Sequence, residues 1–181
     1  PFEDVNLNTL FENVIADLHV NIEEKSAKIN VDHFDTEIQG DPNQLHRVFQ
    51  NLIQNALKFN KKDVPPQIDV IWKKNGKKCS ITVKDNGIGF DPRYKAKIFE
   101  LFQRLHNRNE YSGTGIGLAI ARKIVTSHRG EIFALSTPGV TAFCTPGDQR
   151  VLPLALDAAA GHVPMSDDER AEAVAEMSSE E

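Results

Sequence analysis

Two runs of strand-forming residues, 67–72 and 79–84, flank an Asn75-Gly76 pair. Asn-Gly favours the positive φ angles of a tight two-residue turn, so the runs read as an antiparallel hairpin. That hairpin constrains the fold more than any other feature of the chain. Around it helical and strand patterns alternate, which alone would suggest a doubly wound parallel sheet. A hairpin inside the series does not fit that plan. The order predicts an α/β two-layer sandwich, with helices on one face of a mixed, largely antiparallel sheet.

Residues 8–24 read as an amphipathic helix. Leu7, Leu10, Phe11, Val14, Ile15, Leu18 and Ile22 recur at helical spacing, and Asn8 is placed to cap it. Short strands are expected at 29–31 and 37–39. The next helix carries the fullest set of local signals: Asp41 at the N-cap, Pro42 at the first helical position and Gln44 at the capping-box position. Leu45, Val48, Phe49, Leu52, Ile53, Ala56 and Leu57 then form one broad apolar face ending near Phe59. Beyond the hairpin, a short helix is expected at 98–105, a polar loop at 107–113, a helix at 116–128 and a strand at 131–135.

The chain has 181 residues, 40% of them hydrophobic and 26% charged, as expected of one compact domain with an appendage. The net charge of −5 is unevenly placed. From Asp157 onward there are eight acidic side chains and one arginine, or −7; the other 156 residues carry 20 basic and 18 acidic, or +2. We therefore divide the chain into a folded domain at 1–156 and a weakly ordered acidic tail at 157–181. The slightly positive body suits a small anionic ligand and makes no case for nucleic acid. No apolar run approaches membrane-spanning length, so no membrane contact is expected of this stretch. The cysteines, Cys79 and Cys144, lack metal-ligand spacing and fit a reducing cytoplasm. The chain starts at Pro1, as a fragment or processed product would, and a membrane anchor could precede it.

Four groups of residues carry chemistry. On the helix from Asp41, Asn51 and Asn55 lie one turn apart, and Lys58 falls beside them along one edge of the apolar stripe. An asparagine oxygen is a hard neutral donor acceptable to Mg²⁺, and a lysine supplies a point charge for phosphate; the same residues also suit a solvated helix edge. Asp85-Asn86-Gly87-Ile88-Gly89 follows a strand. A carboxylate there can accept a hydrogen bond from an exocyclic amine, and glycines let backbone approach a flat ring; a simple turn reads the same way. Ile98-Phe99-Glu100-Leu101-Phe102-Gln103-Arg104 offers Phe99 and Phe102 as anchors to the core, leaving Arg104 and Arg108 to reach phosphates or merely solvent. Finally, Gly113-Thr114-Gly115-Ile116-Gly117-Leu118 opens a helix, where backbone N–H groups and the helix dipole favour phosphate. It lacks the Gly-Lys-Ser/Thr ending of a P-loop, and no strand leads into it as in a dinucleotide fingerprint.

In this order, the four motifs resemble the N, G1, F and G2 boxes of histidine kinase ATP-binding domains, especially those of phytochrome-like sensor kinases. Their superfamily includes DNA gyrase, the ninety-kilodalton heat-shock chaperone and the mismatch-repair ATPases. The resemblance spans about residues 2–138 and implies a Bergerat-type ATP-binding fold with ATP and Mg²⁺ as ligands. It implies that Asn55 coordinates Mg²⁺, Lys58 meets phosphate and Phe59 lines the pocket. Asp85 would bind the adenine amine, with Gly87, Ile88 and Gly89 shaping that wall. Arg104 and Arg108 would meet the terminal phosphates, and Gly113, Gly115 and Gly117 would hinge a lid at about 91–114, next to Thr114, Ile116 and Leu118. The implied partners are a histidine-containing dimerisation domain upstream and, indirectly, a response regulator receiver domain, in the cytoplasm.

In the hydrolysing relatives a glutamate four residues before the Mg²⁺-binding asparagine activates water. Here that position is Asn51, and an amide has no useful basicity near neutral pH. Phosphoryl transfer to an outside nucleophile is therefore favoured, driven by positioning and charge neutralisation from Lys58 and Arg104. None of His19, His33, His46, His106, His128 and His162 lies in an acceptor-like context. Two readings from other classes stay open: a nucleotide-gated binding module without phosphotransfer, and a serine-directed relative of the anti-sigma-factor kinases. Two departures from the family pattern stand out. Arg129 occupies a usual glycine position, which implies strain at that turn. The segment 139–146 is shortened, so the last core strand is expected to be abbreviated or supplied by 150–156.

Overall fold

The computed structural model describes residues 2–75, 78–95, 97–102, 114–134 and 140–144. Expectations for Arg104, Arg108, Gly113, the 107–113 loop and the acidic tail fall outside these residues.

Four strands form the main sheet: β2 (Lys28–Val31), β4 (Gln67–Asn75), β5 (Lys78–Asp85) and β6 (Val140–Cys144), in the order β2-β4-β5-β6. β4 pairs antiparallel with β5, as the hairpin pattern requires, and β5 pairs antiparallel with β6. β2 and β4 are parallel. Parallel neighbours need a crossover, and it runs through β3 (Glu37–Gly40) and helix α3 (Pro42–Lys58). The sheet is thus mixed and largely antiparallel, in line with expectation. The shortened C-terminal segment itself supplies a strand of 5 residues along β5, from Ser80↔Cys144 to Lys84↔Val140; the alternative at 150–156 lies outside the described residues.

Among the described residues there are three further α-helices: α1 (Leu7–Asp17), α2 (His19–Glu24) and α4 (Gly117–Ser127). α3 is the hub, packing against α1, α4 and β5. Its N-terminus follows the sequence signals, for the Asp41 side chain accepts from the Gln44 N–H at 3.0 Å. All seven apolar residues expected on its inner face are buried. On the sheet they meet Ile68, Val70, Ile81 and Val83, the alternate residues of the hairpin. Among the described residues, no helix is long and apolar enough to cross a membrane.

Local expectations fail where a distant partner decides. A strand precedes the first helix: β1 (Glu3–Asn6) pairs antiparallel with β3. The cap of α1 is therefore Asn6, which accepts from the Thr9 N–H at 3.1 Å, and not Asn8. Asn8 instead clamps the backbone of Phe34, donating to its carbonyl at 2.8 Å and accepting from its N–H at 3.0 Å. The continuous 8–24 helix is broken at Leu18 into α1 and α2. Residues 131–134 form no strand, and the described part of the expected 98–105 helix holds a 3₁₀ turn, Lys97–Phe99, in place of an α-helix.

α4 ends in a Schellman-type turn, with the Arg129 N–H bonded to the Thr126 carbonyl and the Gly130 N–H to the Val125 carbonyl. Arg129 holds the left-handed position at φ 59°, where a side chain is strained. Arg129→Gly is therefore expected to stabilise the chain by about 1 kcal/mol. Urea denaturation would read this as a higher midpoint at unchanged slope; an unchanged or lower midpoint would refute it.

Candidate functional site

The polar edge of α3 faces the two glycine segments. Asn51, Asn55, Lys58 and Phe59 are all half-buried there. Lys58 Nζ stands 4.5 Å from the centre of the Phe59 ring. The α3 backbone turns out of the helix at Phe59, whose N–H still bonds the Asn55 carbonyl at 2.9 Å.

The Asp85–Gly89 segment docks on that turn. Period-two alternation places Asp85 on the same face as Ile81 and Val83, opposite Ile68, so a carboxyl group ends a row of core side chains. It is buried, with 9% of its surface exposed. Burial pushes the Asp85 carboxyl above the ordinary carboxylate value, while the Gly87 N–H and the charge of Lys61 pull against that shift. The Gly87 N–H donates to Asp85 Oδ1 at 2.8 Å, and the Ile88 N–H donates to the Phe59 carbonyl at 2.9 Å. Gly87 is packed so closely that a Cβ would lie 2.5 Å from the Phe59 oxygen. Gly89 lies at positive φ, 66°.

Asn86 was not singled out by its sequence position, yet it staples the turn. Its Oδ1 accepts from the Gln67 N–H at 2.9 Å, and its Nδ2 donates to the Pro65 carbonyl at 3.1 Å. An Asx residue between an acid and a glycine is a signal for such side-chain to backbone bonding.

The second glycine segment meets the same edge of α3 one turn earlier. A Cβ on Gly117 would lie 3.0 Å from Asn51 Oδ1, so the first residue of α4 rests directly against Asn51. Thr114, Gly115, Ile116 and Leu118 flank this contact, with Gly115 at φ 70°. The middle of the expected lid is tied to the glycine segment that follows it, since the Phe102 N–H donates to the Gly115 carbonyl at 3.1 Å. Of the two expected anchors, only Phe99 is buried, at 6% exposure; Phe102 is 71% exposed. Its φ of 62° turns the backbone at that point, so the ring does not follow Phe99 inward.

The described parts of three motifs therefore converge. A buried acid and a glycine wall stand at one end of the α3 edge, and a glycine helix start stands at Asn51. A neutral oxygen donor and a lysine lie along the edge itself. The arrangement can hold a flat polar ring at Asp85 and anionic groups along α3. Asn55 offers a single neutral oxygen, which suits a hard cation bringing water and phosphate oxygens as its other ligands.

Residues 40–150 match the family model described as histidine kinase-, DNA gyrase B- and HSP90-like ATPase. The phytochrome-like protein Cph1 of Synechocystis sp. is 43% identical over 138 residues, covering 76% of this chain and 18% of that protein. The catalytic domain of histidine kinase ThkA superposes with a TM-score of 0.66 at 26% identity, covering 78% of this chain and 94% of that structure. ThkA in complex with the response regulator protein TrrA gives a TM-score of 0.63 at 25% identity, covering 78% of this chain and 40% of ThkA. The chain spans 18% of the length of the curated phytochromes it matches.

Proposed function

The chain belongs to the histidine kinase-, DNA gyrase B- and HSP90-like ATPase family, and from that premise we propose that it binds Mg-ATP and donates the γ-phosphate to a histidine of a dimerisation domain. One observation carries this reading. Gly117, at the start of α4, rests on Asn51, which brings the second glycine motif to the asparagine edge of α3 and leaves an amide where hydrolysing relatives have a general base.

In this proposal Asp85 receives the adenine amine, and the Gly87–Gly89 wall lies along the ring. Phe59 lines the pocket, and Lys58 and the N-terminus of α4 neutralise phosphate charge. Asn55 would hold Mg²⁺, whose chemistry is to draw charge from the β- and γ-phosphate oxygens. Arg104 and Arg108, from the lid sequence, are proposed to meet the terminal phosphates. Asn51 orders the site without taking a proton, so transfer waits for a nucleophile from outside the chain. A response regulator would then receive the phosphate in turn, in the cytoplasm.

The test supplies a histidine-containing dimerisation domain in trans with γ-labelled ATP. The expected result is acid-labile, base-stable label on that domain, lost when its histidine is replaced. Binding of Mg-ATP without any such label would defeat the kinase reading and leave a binding module.

A further inference from the structure

We infer that His128 is a positioning residue for the nucleotide site, fastening α4 to α3 at the end opposite Asn51 and Gly117. The inference rests on the nucleotide-binding reading above.

His128 caps the C-terminus of α4 and is 2% exposed. Its Nε2 accepts from the backbone N–H of Asp41, the N-cap of α3, at 3.0 Å. Its Nδ1 faces the Ile124 carbonyl at 2.8 Å. A backbone N–H only donates and a carbonyl only accepts, so both contacts are made when the proton sits on Nδ1. Ser127 Oγ, 3.4 Å from Nδ1, donates to the same Ile124 carbonyl at 2.7 Å. The Phe2 ring stacks on the imidazole, with centres 4.5 Å apart and planes 20° apart. Gly40 closes the remaining side, for a Cβ there would lie 3.1 Å from His128 Cδ2. The imidazole is thus held by groups from α4, the start of α3, the end of β3 and the residue before β1.

Two contacts fix how α4 lies on α3. At one end His128 meets Asp41; at the other Gly117 meets Asn51, so the helices run antiparallel. Between them lie apolar contacts through Ala121, Ile124 and Val125. Apolar packing is not directional and permits small slides, whereas a hydrogen bond between fixed backbone and a rigid ring does not. α4 has 11 residues, a rod of roughly 16 Å that carries a shift at His128 to Gly117. Gly117 has no side chain to absorb it, so Asn51 would move along the row that holds Asn55 and Lys58. Ligand sites lose affinity steeply with such misplacement.

Two substitutions separate the bonds that His128 makes. His128→Gln places an amide oxygen near the Nε2 position and keeps the link to Asp41. His128→Asn keeps a donor for the Ile124 carbonyl but cannot reach Asp41. Each variant of the 181-residue chain is titrated calorimetrically with Mg-ATP well below its melting temperature, with folding checked by circular dichroism. We expect Gln to bind within about twofold of the parent and Asn about tenfold more weakly. Phe2→Ala, which only removes the stacked ring, is expected to weaken binding by about threefold, and it decides the matter if the Asn variant does not fold. Folded variants that all bind like the parent would overturn the inference, leaving His128 a purely structural residue. Equal weakening by Gln and Asn would overturn it as well, because the Asp41 bond would then not matter. A parent chain that fails to bind Mg-ATP would defeat the functional proposal itself.

Discussion

A methyl group at Gly87 is expected to abolish Mg-ATP binding and to lower stability by about 2–4 kcal/mol. The Cβ of Gly87→Ala would lie 2.5 Å from the Phe59 oxygen and 2.7 Å from Asp85 Oδ1. Neither neighbour can yield cheaply. The Phe59 carbonyl belongs to the backbone where α3 ends, and it already accepts the Ile88 N–H at 2.9 Å. Asp85 is buried on the core face, and its bond from the Gly87 N–H offsets part of its burial. The loop must therefore swing away from α3. That movement breaks the Gly87 and Ile88 bonds together and leaves a buried carboxyl group without its donor, the costly case for a polar group. It also displaces the wall against which the adenine is proposed to lie. Urea denaturation and calorimetric titration on one preparation would check both effects. A variant with the parent's midpoint and affinity would show that the segment is not held as described.

The same position shows which parts of the fold could be read in the sequence. α3 was legible to its cap because each of its signals is local: Asp41, Pro42 and Gln44 act within one turn, and the seven buried residues repeat along a single helix. The hairpin was legible for the same reason. β1 was not, because in Glu3–Asn6 only Val5 is buried and the strand exists through β3, more than thirty residues away. That strand also moves the cap of α1 from the expected Asn8 to Asn6, whose side chain has the same chemistry. Residues 131–134 carry Ile132, Phe133 and Ala134, yet β6 rather than this segment pairs with β5. Phe102 has the composition of an anchor, but its backbone angle is set by the bond from its N–H to Gly115.

The site divides in a similar way. Asp85, Gly87 and the asparagines could be named because their residue types carry their chemistry. The contact between Gly117 and Asn51 is tertiary, and a glycine that opens a helix says nothing about what it touches. His128 was hidden more completely. It lies in no acceptor-like context, and its partner is a main-chain N–H 87 positions away that no residue type can signal.

Asn55→Ala is expected to weaken Mg-ATP binding about 100-fold while leaving the chain as stable as before or slightly more so. Asn55 is half-buried on the edge of α3, outside the apolar face, and the bond it makes to the Phe59 N–H comes from its main-chain carbonyl. Removing the side chain therefore opens no core cavity, and alanine is the better helix former by about 0.5 kcal/mol. What is lost is the proposed oxygen ligand. Asn55→Asp keeps an oxygen in place but sets a negative charge beside the triphosphate, so its affinity should fall as well. The metal provides the control: with excess EDTA, parent and alanine variant are expected to bind ATP equally weakly. Unchanged affinity in Mg²⁺, or a difference that persists in EDTA, would remove Asn55 from the metal site. Gly87→Ala, by contrast, should lose affinity and stability together. A residue whose loss costs binding but not folding is one the fold does not need for itself, and that separation distinguishes a proposed ligand at Asn55 from a structural wall at Gly87.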